Sequence, residues 1–365
     1  MVKECATDTA KSGQHANNFD GVRLLGALFV LLSHQFALSG RHEPEIIGSH
    51  TFGNLGVLMF FSISGFLIMQ SWQRDPHLPR FMARRLLRIW PGLAVVTLLT
   101  AFALGPLVYQ LGPIQYFRSS EYRQYLHELY FGLSRGMLFP SNPFVSSNGS
   151  LWTIPIEVWC YLALGTAGVL GVFRRREALP LIIASNVVYF LFFFGGQAAG
   201  TAYAAGSHLF PSLVAWLYFA AIFFLGATIN MYRPTLLTTH NKLVIAIALT
   251  LGLLAIVFVE YSTALFFIVP IVTISIAVRS WPWLKDAGCY GDLSYGIYLY
   301  AWPVQQVVIL LLGKDAPYWL LAACSLTGAV ALAFLSWHLV EKRALLIKPR
   351  GALQRNPTLN ASPAG

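Results

Sequence analysis

Long apolar blocks separated by short polar punctuation dominate the chain, and their lengths set the architecture. A helix needs about 20 predominantly apolar residues to cross the hydrocarbon core of a bilayer. Runs that meet or approach this length occur at 22–40, 55–71, 86–108, 151–173, 178–195, 210–230, 243–260, 262–279, 293–312 and 317–340. The pattern predicts an all-α fold: a polytopic transmembrane helical bundle of about ten helices. The longest piece outside these runs, 109–150, is too long for an idle connector. It predicts a helix around 116–134, then a turn-rich stretch holding Ser141-Asn142-Pro143 and Ser146-Ser147-Asn148-Gly149. We read it as a lid or wall over an outward-facing cavity. Residues 1–17 and 346–365 read as disordered tails around a membrane domain at 18–345.

Composition supports the same picture. Of the 365 residues, 11% are charged and 56% hydrophobic, against about 25% charged in soluble proteins. A soluble sphere could not be covered with so few polar side chains, which excludes a cytosolic enzyme and a disordered chain. The net charge of +10 has a topological origin. Twenty of the 25 lysines and arginines fall in the alternate connections that include both termini. Basic residues collect on the cytoplasmic side, so both termini are expected in the cytoplasm, with the basic loops facing an anionic leaflet rather than nucleic acid. The four cysteines show no C-x-x-C spacing and suggest packing residues, with neither a zinc site nor a disulfide framework. The first seventeen residues are polar and the first apolar run continues into the protein, so that run reads as a retained anchor.

Ionisable side chains inside hydrocarbon are costly and mark function. His34 lies in the first segment, about 16 Å along the axis from Arg23. Glu157 sits about 10 Å below the outer rim of the fourth segment. Counting residues from the rims places His34 and Glu157 at one depth, where a carboxylate would orient an imidazole and raise its basicity. Arg85 and Arg88 share one helical face at the start of the third segment, in Arg84-Arg85-Leu86-Leu87-Arg88-Ile89-Trp90-Pro91. Guanidinium forks of this kind bind phosphate; ordinary positive-inside anchoring is the plainer alternative. His338 and Glu341 read as a solvated helix end, and His208 as a rim residue able to line an acceptor site.

Five stretches, in order, resemble the acyltransferase-3 membrane family. They are Phe19-Asp20-Gly21-Val22-Arg23 with His34; Gly53-Asn54-Leu55-Gly56-Val57 with Phe60-Phe61-Ser62-Ile63-Ser64-Gly65; Arg85 to Arg88 with Trp90-Pro91; Ser150-Leu151-Trp152-Thr153 with Glu157; and Leu293-Ser294-Tyr295-Gly296-Ile297-Tyr298 with Trp302-Pro303. The resemblance implies transfer of an acyl group, commonly acetyl, from cytoplasmic acyl-coenzyme A to a hydroxyl of an envelope carbohydrate, glycolipid or similar acceptor. It implies a multi-pass protein of a bacterial cytoplasmic (inner) membrane, with no metal. The motif roles fall on Arg23, His34, Arg85, Arg88 and Glu157. Two positions depart from the family: Leu58 stands where many members have an acid, and Ala301 where many have histidine before Trp-Pro. No esterase-like domain is expected after the last segment.

On this reading Arg85 and Arg88, with Arg23, hold the donor's phosphates. His34, oriented by Glu157, takes the proton of the acceptor hydroxyl. An acyl-histidine relay is the variant, and Tyr295, Tyr298 and Ser33 are candidate oxyanion donors. A transporter or flippase of lipid-linked sugars is the alternative from another class.

Overall fold

The computed structural model describes residues 17–48, 50–132, 136–174, 213–233, 237, 241–258, 261–289 and 291–349. The expected segment at 178–195, His208, and residues 1–16 and 350–365 of the expected tails lie outside these residues.

Among the described residues, helices fall on nine of the expected apolar runs. They are α1 (Phe19–Leu38), α2 (Phe52–Arg74), α3 (Leu78–Leu99), α6 (Thr153–Val169), α7 (Leu213–Met231), α8 (Asn241–Phe258), α9 (Tyr261–Ala277), α10 (Leu293–Leu312) and α11 (Tyr318–Ser336). Two short helices, α4 (Gly112–Arg118) and α5 (Glu121–Tyr125), lie in the long connection. A π turn, Trp337–Glu341, carries α11 on into α12 (Lys342–Leu346). A small antiparallel ribbon, β1 (Glu45–Ile47) with β2 (His50–Thr51), bridges α1 and α2.

Five of these elements are long and apolar enough to cross a membrane: α1, α2, α3 with its extension to Val108, α10, and α11 through Leu346. The remaining apolar helices are shorter. Their outward faces are apolar too: Leu243, Ile247, Leu253 and Val257 of α8 are all exposed, a surface that suits hydrocarbon rather than water. The chain is an all-α integral membrane protein. α2 lies at its centre, packed against α1, α7 and α9, while α10 packs against α1 and α11.

Local chemistry sets the helix boundaries. Thr51 caps α2, its hydroxyl accepting from the Asn54 amide at 3.4 Å. Pro79 sits in the first turn of α3, where its missing N–H costs nothing. That helix starts eight residues earlier than the apolar run at 86–108, so Arg84, Arg85 and Arg88 stand two turns inside a helix rather than at its edge. The expected helix at 116–134 is instead a series of short pieces. Ser119 interrupts it, its hydroxyl donating to the Tyr116 carbonyl at 2.6 Å and accepting from the Glu121 amide at 3.2 Å.

Residues 142–150 form a strap that descends between the helices. Asn142, Ser146, Ser147, Asn148 and Ser150 are all buried, and the strap follows α10 inward. Asn142 Nδ2 donates to Gln306 Oε1 at 2.8 Å, Trp302 Nε1 to the Ser146 carbonyl at 3.1 Å, and Asn148 Nδ2 to the Leu299 carbonyl at 3.0 Å. Tyr298 Oη donates to the Ser150 carbonyl at 2.5 Å. From Gln306 to Tyr298 this is about 12 Å of descent. Irregular backbone is tolerated at such depth only where protein satisfies it. Gly149 is required: a Cβ there would stand 2.5 Å from the Trp302 ring.

Order also extends past the expected start of the C-terminal tail at 346. Leu346 closes α12, which packs on α3, and Lys348 is half-buried. Cys160 and Cys324 are free thiols, but Cys289 is disulfide-bonded, against the expectation of packing thiols throughout.

Candidate active site

A cavity of about 250 Å³ lies between α1, α2, α3, α6 and α10. Arg23, Arg85, Arg88 and Lys348 line one end of it, which we call the basic end. Glu157, Ser64 and Tyr161 line its middle, and Phe60, Thr153 and Tyr298 its inner limit. Of the five residues singled out in the sequence, the fold brings four together here: Arg23, Arg85, Arg88 and Glu157.

The two arginines of α3 are not equivalent. Arg88 is fully committed: Nη2 meets Asp292 Oδ2 at 2.5 Å, Nη1 lies 3.5 Å from Glu341 Oε2, and the guanidinium stands 5.1 Å from the Tyr295 ring centre. Arg23 shares Asp292 at 3.6 Å and also faces Asp20 at 3.6 Å. Among the described residues Arg85 meets only a neutral group, the Ser71 hydroxyl at 3.3 Å, and its Nε is buried without a hydrogen-bond partner. Arg84 turns away to Asp75 at 2.6 Å. A helical face that reads as one phosphate fork therefore divides into a neutralised structural cation and an uncompensated one.

Glu341 is correspondingly not the solvated helix end expected of it. It is 2% exposed, accepts from Ser336 Oγ at 2.9 Å, and pairs with Arg88. The π turn at 337–341 shifts the helical register here, and Gly92 leaves the room: a Cβ on Gly92 would stand 3.2 Å from the Glu341 carboxyl carbon and 3.0 Å from Tyr295. His338 stays on the outer face, its ring against Phe334.

Glu157 is held by two hydroxyls on one oxygen. Ser64 Oγ donates to Oε1 at 2.7 Å and Tyr161 Oη at 2.5 Å. Its partner is not His34. That ring packs edge-on to Trp302 at 4.9 Å between centres, its Nδ1 is buried without a hydrogen-bond partner, and it does not line the cavity. Between the two stands a wall: Thr153 Oγ1 and Tyr298 Oη are 2.7 Å apart, and the Tyr298 ring lies 5.7 Å from Phe60. Glu157 is one turn to the basic side of Thr153, and His34 lies beside Trp302, one turn to the far side of Tyr298. Their separation along the bundle is thus about 12 Å. The common depth predicted from residue counts fails because it starts α6 at the membrane rim. The strap delivers the chain to Thr153 already level with Tyr298.

The candidate oxyanion donors are also occupied. Tyr295 Oη donates to the Ile89 carbonyl at 2.8 Å, Tyr298 Oη to the Ser150 carbonyl, and Ser33 Oγ to Thr51 Oγ1 at 3.4 Å. The sequence reading missed Ser64, Tyr161, Asp292 and Lys348. Tyr161 had a signal, standing four residues after Glu157 on one helical face. Asp292, the acid immediately before α10, had a weaker one.

Fold and site together define a helical membrane protein with an internal cavity, cationic at one end and holding a restrained carboxylate midway. The chain belongs to the acyltransferase-3 family: the family model described as "Acyltransferase domain" matches residues 17–338. It is 34% identical over 338 residues to a protein named O-acetyl transferase from Shigella phage Sf6, covering 90% of this chain and 96% of that one. It is 29% identical over 379 residues to Nodulation protein 10 of Rhizobium leguminosarum bv. viciae, covering 92% and 95%. No solved structure matches the chain significantly. Membership makes the protein a membrane acyltransferase.

Proposed function

We propose that the protein moves an acetyl group from cytoplasmic acetyl-coenzyme A to a hydroxyl of an envelope carbohydrate or glycolipid in a bacterial inner membrane. The observation that carries this reading is the uncompensated positive charge at the mouth of a narrow cavity. At about 250 Å³ the cavity is smaller than most drug-sized ligand sites. It suits the slim pantetheine arm of the donor, with the nucleotide phosphates left at the basic, cytoplasmic end beside Arg85, Arg23 and Arg88. The name of the phage relative supports acetyl and an oxygen acceptor.

The thioester then lies near Glu157, and the wall of Phe60, Thr153 and Tyr298 separates it from His34. The acceptor comes from the opposite side, over the strap and the 109–150 connection. When the wall parts, His34 takes the hydroxyl proton and the oxygen attacks the thioester carbonyl. The C–S bond breaks, and the thiolate leaves with the proton from the imidazolium. Glu157 acts across the wall through its charge rather than by holding the ring. At about 12 Å and an effective dielectric of about 20, a carboxylate stabilises an imidazolium by about 1 kcal/mol.

Reconstituted protein given radiolabelled acetyl-coenzyme A should transfer label to isolated envelope glycans. His34→Ala should lower kcat by about a hundredfold or more with the fold intact. Transfer that survives this change removes His34 from the mechanism. Movement of a lipid-linked sugar with no label transferred would replace acyl transfer by transport.

A further inference from the structure

The charges around the cavity leave a remainder. Its lining holds four cations, Arg23, Arg85, Arg88 and Lys348, and one carboxylate, Glu157. Asp292 and Glu341 neutralise Arg88, Asp292 and Asp20 neutralise Arg23, and Asp75 takes Arg84. Glu157 accepts from two hydroxyls. Among the described residues, no acid pairs with Arg85 or Lys348. Two buried or half-buried positive charges facing one space repel each other, and such an arrangement is stable only if an anion completes it.

We infer that Lys348, on the segment that follows the last helix, is a donor-binding residue that forms with Arg85 the seat for the phosphate groups of the nucleotide thioester. This rests on the acyl-coenzyme A reading above. The two residues come from opposite ends of the chain and meet because α12 packs on α3. The C-terminal segment thereby closes one side of the cavity mouth. Its ionisation agrees with a seat awaiting an anion. Burial, then Arg85, Arg88 and Arg84 on α3, push the lysine down to about 8, against a weaker opposite pull from Asp292. A bound phosphate would reverse that repulsion, and binding would take up a proton where the lysine is partly neutral.

The test uses the full-length protein in phosphatidylcholine vesicles, with calorimetric titration of coenzyme A and of acetyl-coenzyme A. Lys348→Gln should weaken binding by about tenfold or more, the loss of one charge-assisted contact. Lys348→Arg should restore it. Wild-type affinity should fall as pH rises through about 8, and the arginine variant should not follow that fall, because a guanidinium keeps its charge. Wild-type binding with Lys348→Gln unchanged would overturn the inference while leaving the donor reading intact. Absence of any wild-type binding would instead overturn the donor reading, and the inference with it. Anionic phosphatidylglycerol in the vesicles supplies the same phosphate chemistry from a lipid. If its addition erases the difference between wild type and Lys348→Gln, the seat belongs to a headgroup and the assignment to the donor fails.

Discussion

The two ends of the bundle are held together by different polar chemistry. At the basic end the buried contacts are between full charges: Arg88 with Asp292 and Glu341, and Arg23 with Asp292. At the far end they are between neutral amides and hydroxyls. Gln35 Oε1 accepts from Gln305 Nε2 at 3.1 Å and Ser325 Oγ at 2.9 Å, and Gln306 Nε2 donates to the Phe144 and Ser146 carbonyls at 2.7 and 2.8 Å. Full charges in apolar surroundings must be matched or they repel, so a charge left unmatched points to a ligand that matches it. Amides hold the strap in place without creating such a demand. The contrast fits a reaction that takes an anionic donor at one end and an uncharged hydroxyl at the other.

The sharpest way to break this comparison is at Arg88. Arg88→Met leaves Glu341 buried without its cation and Asp292 with Arg23 alone at 3.6 Å, and thermal unfolding in micelles should show a loss of about 3–5 kcal/mol. Arg85→Met removes a cation that has no acid, so stability should hold while donor affinity falls about tenfold. Equal destabilisation by the two would mean that both are structural. At the far end, Gln306→Leu takes one bond each from the Asn142 amide and the Ser146 carbonyl, which keep the main-chain carbonyl of residue 306 and Trp302 Nε1, and strips the Phe144 carbonyl of its Gln306 donor, a loss of about 1–3 kcal/mol. A neutral result there would show that the strap is not held by this network.

The smallest effect concerns Asp75, in the turn between α2 and α3. Hydrogen bonds from Arg80 and then Arg84 hold its carboxyl well below the usual carboxylate range. Its contribution to stability is therefore complete above about pH 4 and is lost as pH falls toward its lower folded value. Asp75→Asn should flatten that acid-side decline in melting temperature. An unchanged profile would show that the turn's ion pairs are screened by solvent.

The spans were legible in the sequence because each apolar run had to be long enough to cross hydrocarbon, and helices stand on nine of them among the described residues. Charged residues misled where partners hide them. The reading placed Arg85 and Arg88 at a helix start, since nothing near them in sequence announces Asp292 or Glu341. The residue types of the site were legible, but their pairing was not. The depth of Glu157 depends on a strap whose anchors, Leu299, Trp302 and Gln306, lie about 150 residues further along the chain. No local pattern reports such a contact, and the same holds for Lys348 beside α3.

That strap has a consequence for biogenesis. Segments leave the ribosome in order, and α6 is made long before α10. Until α10 is inserted, the Phe144, Ser146 and Ser150 carbonyls lack the donors that Gln306, Trp302 and Tyr298 supply, and Thr153 has no Tyr298 to meet. The carboxylate of Glu157 can therefore take its final position only after the penultimate long helix has been synthesised. A nascent chain is left without the assembled cavity for most of its translation.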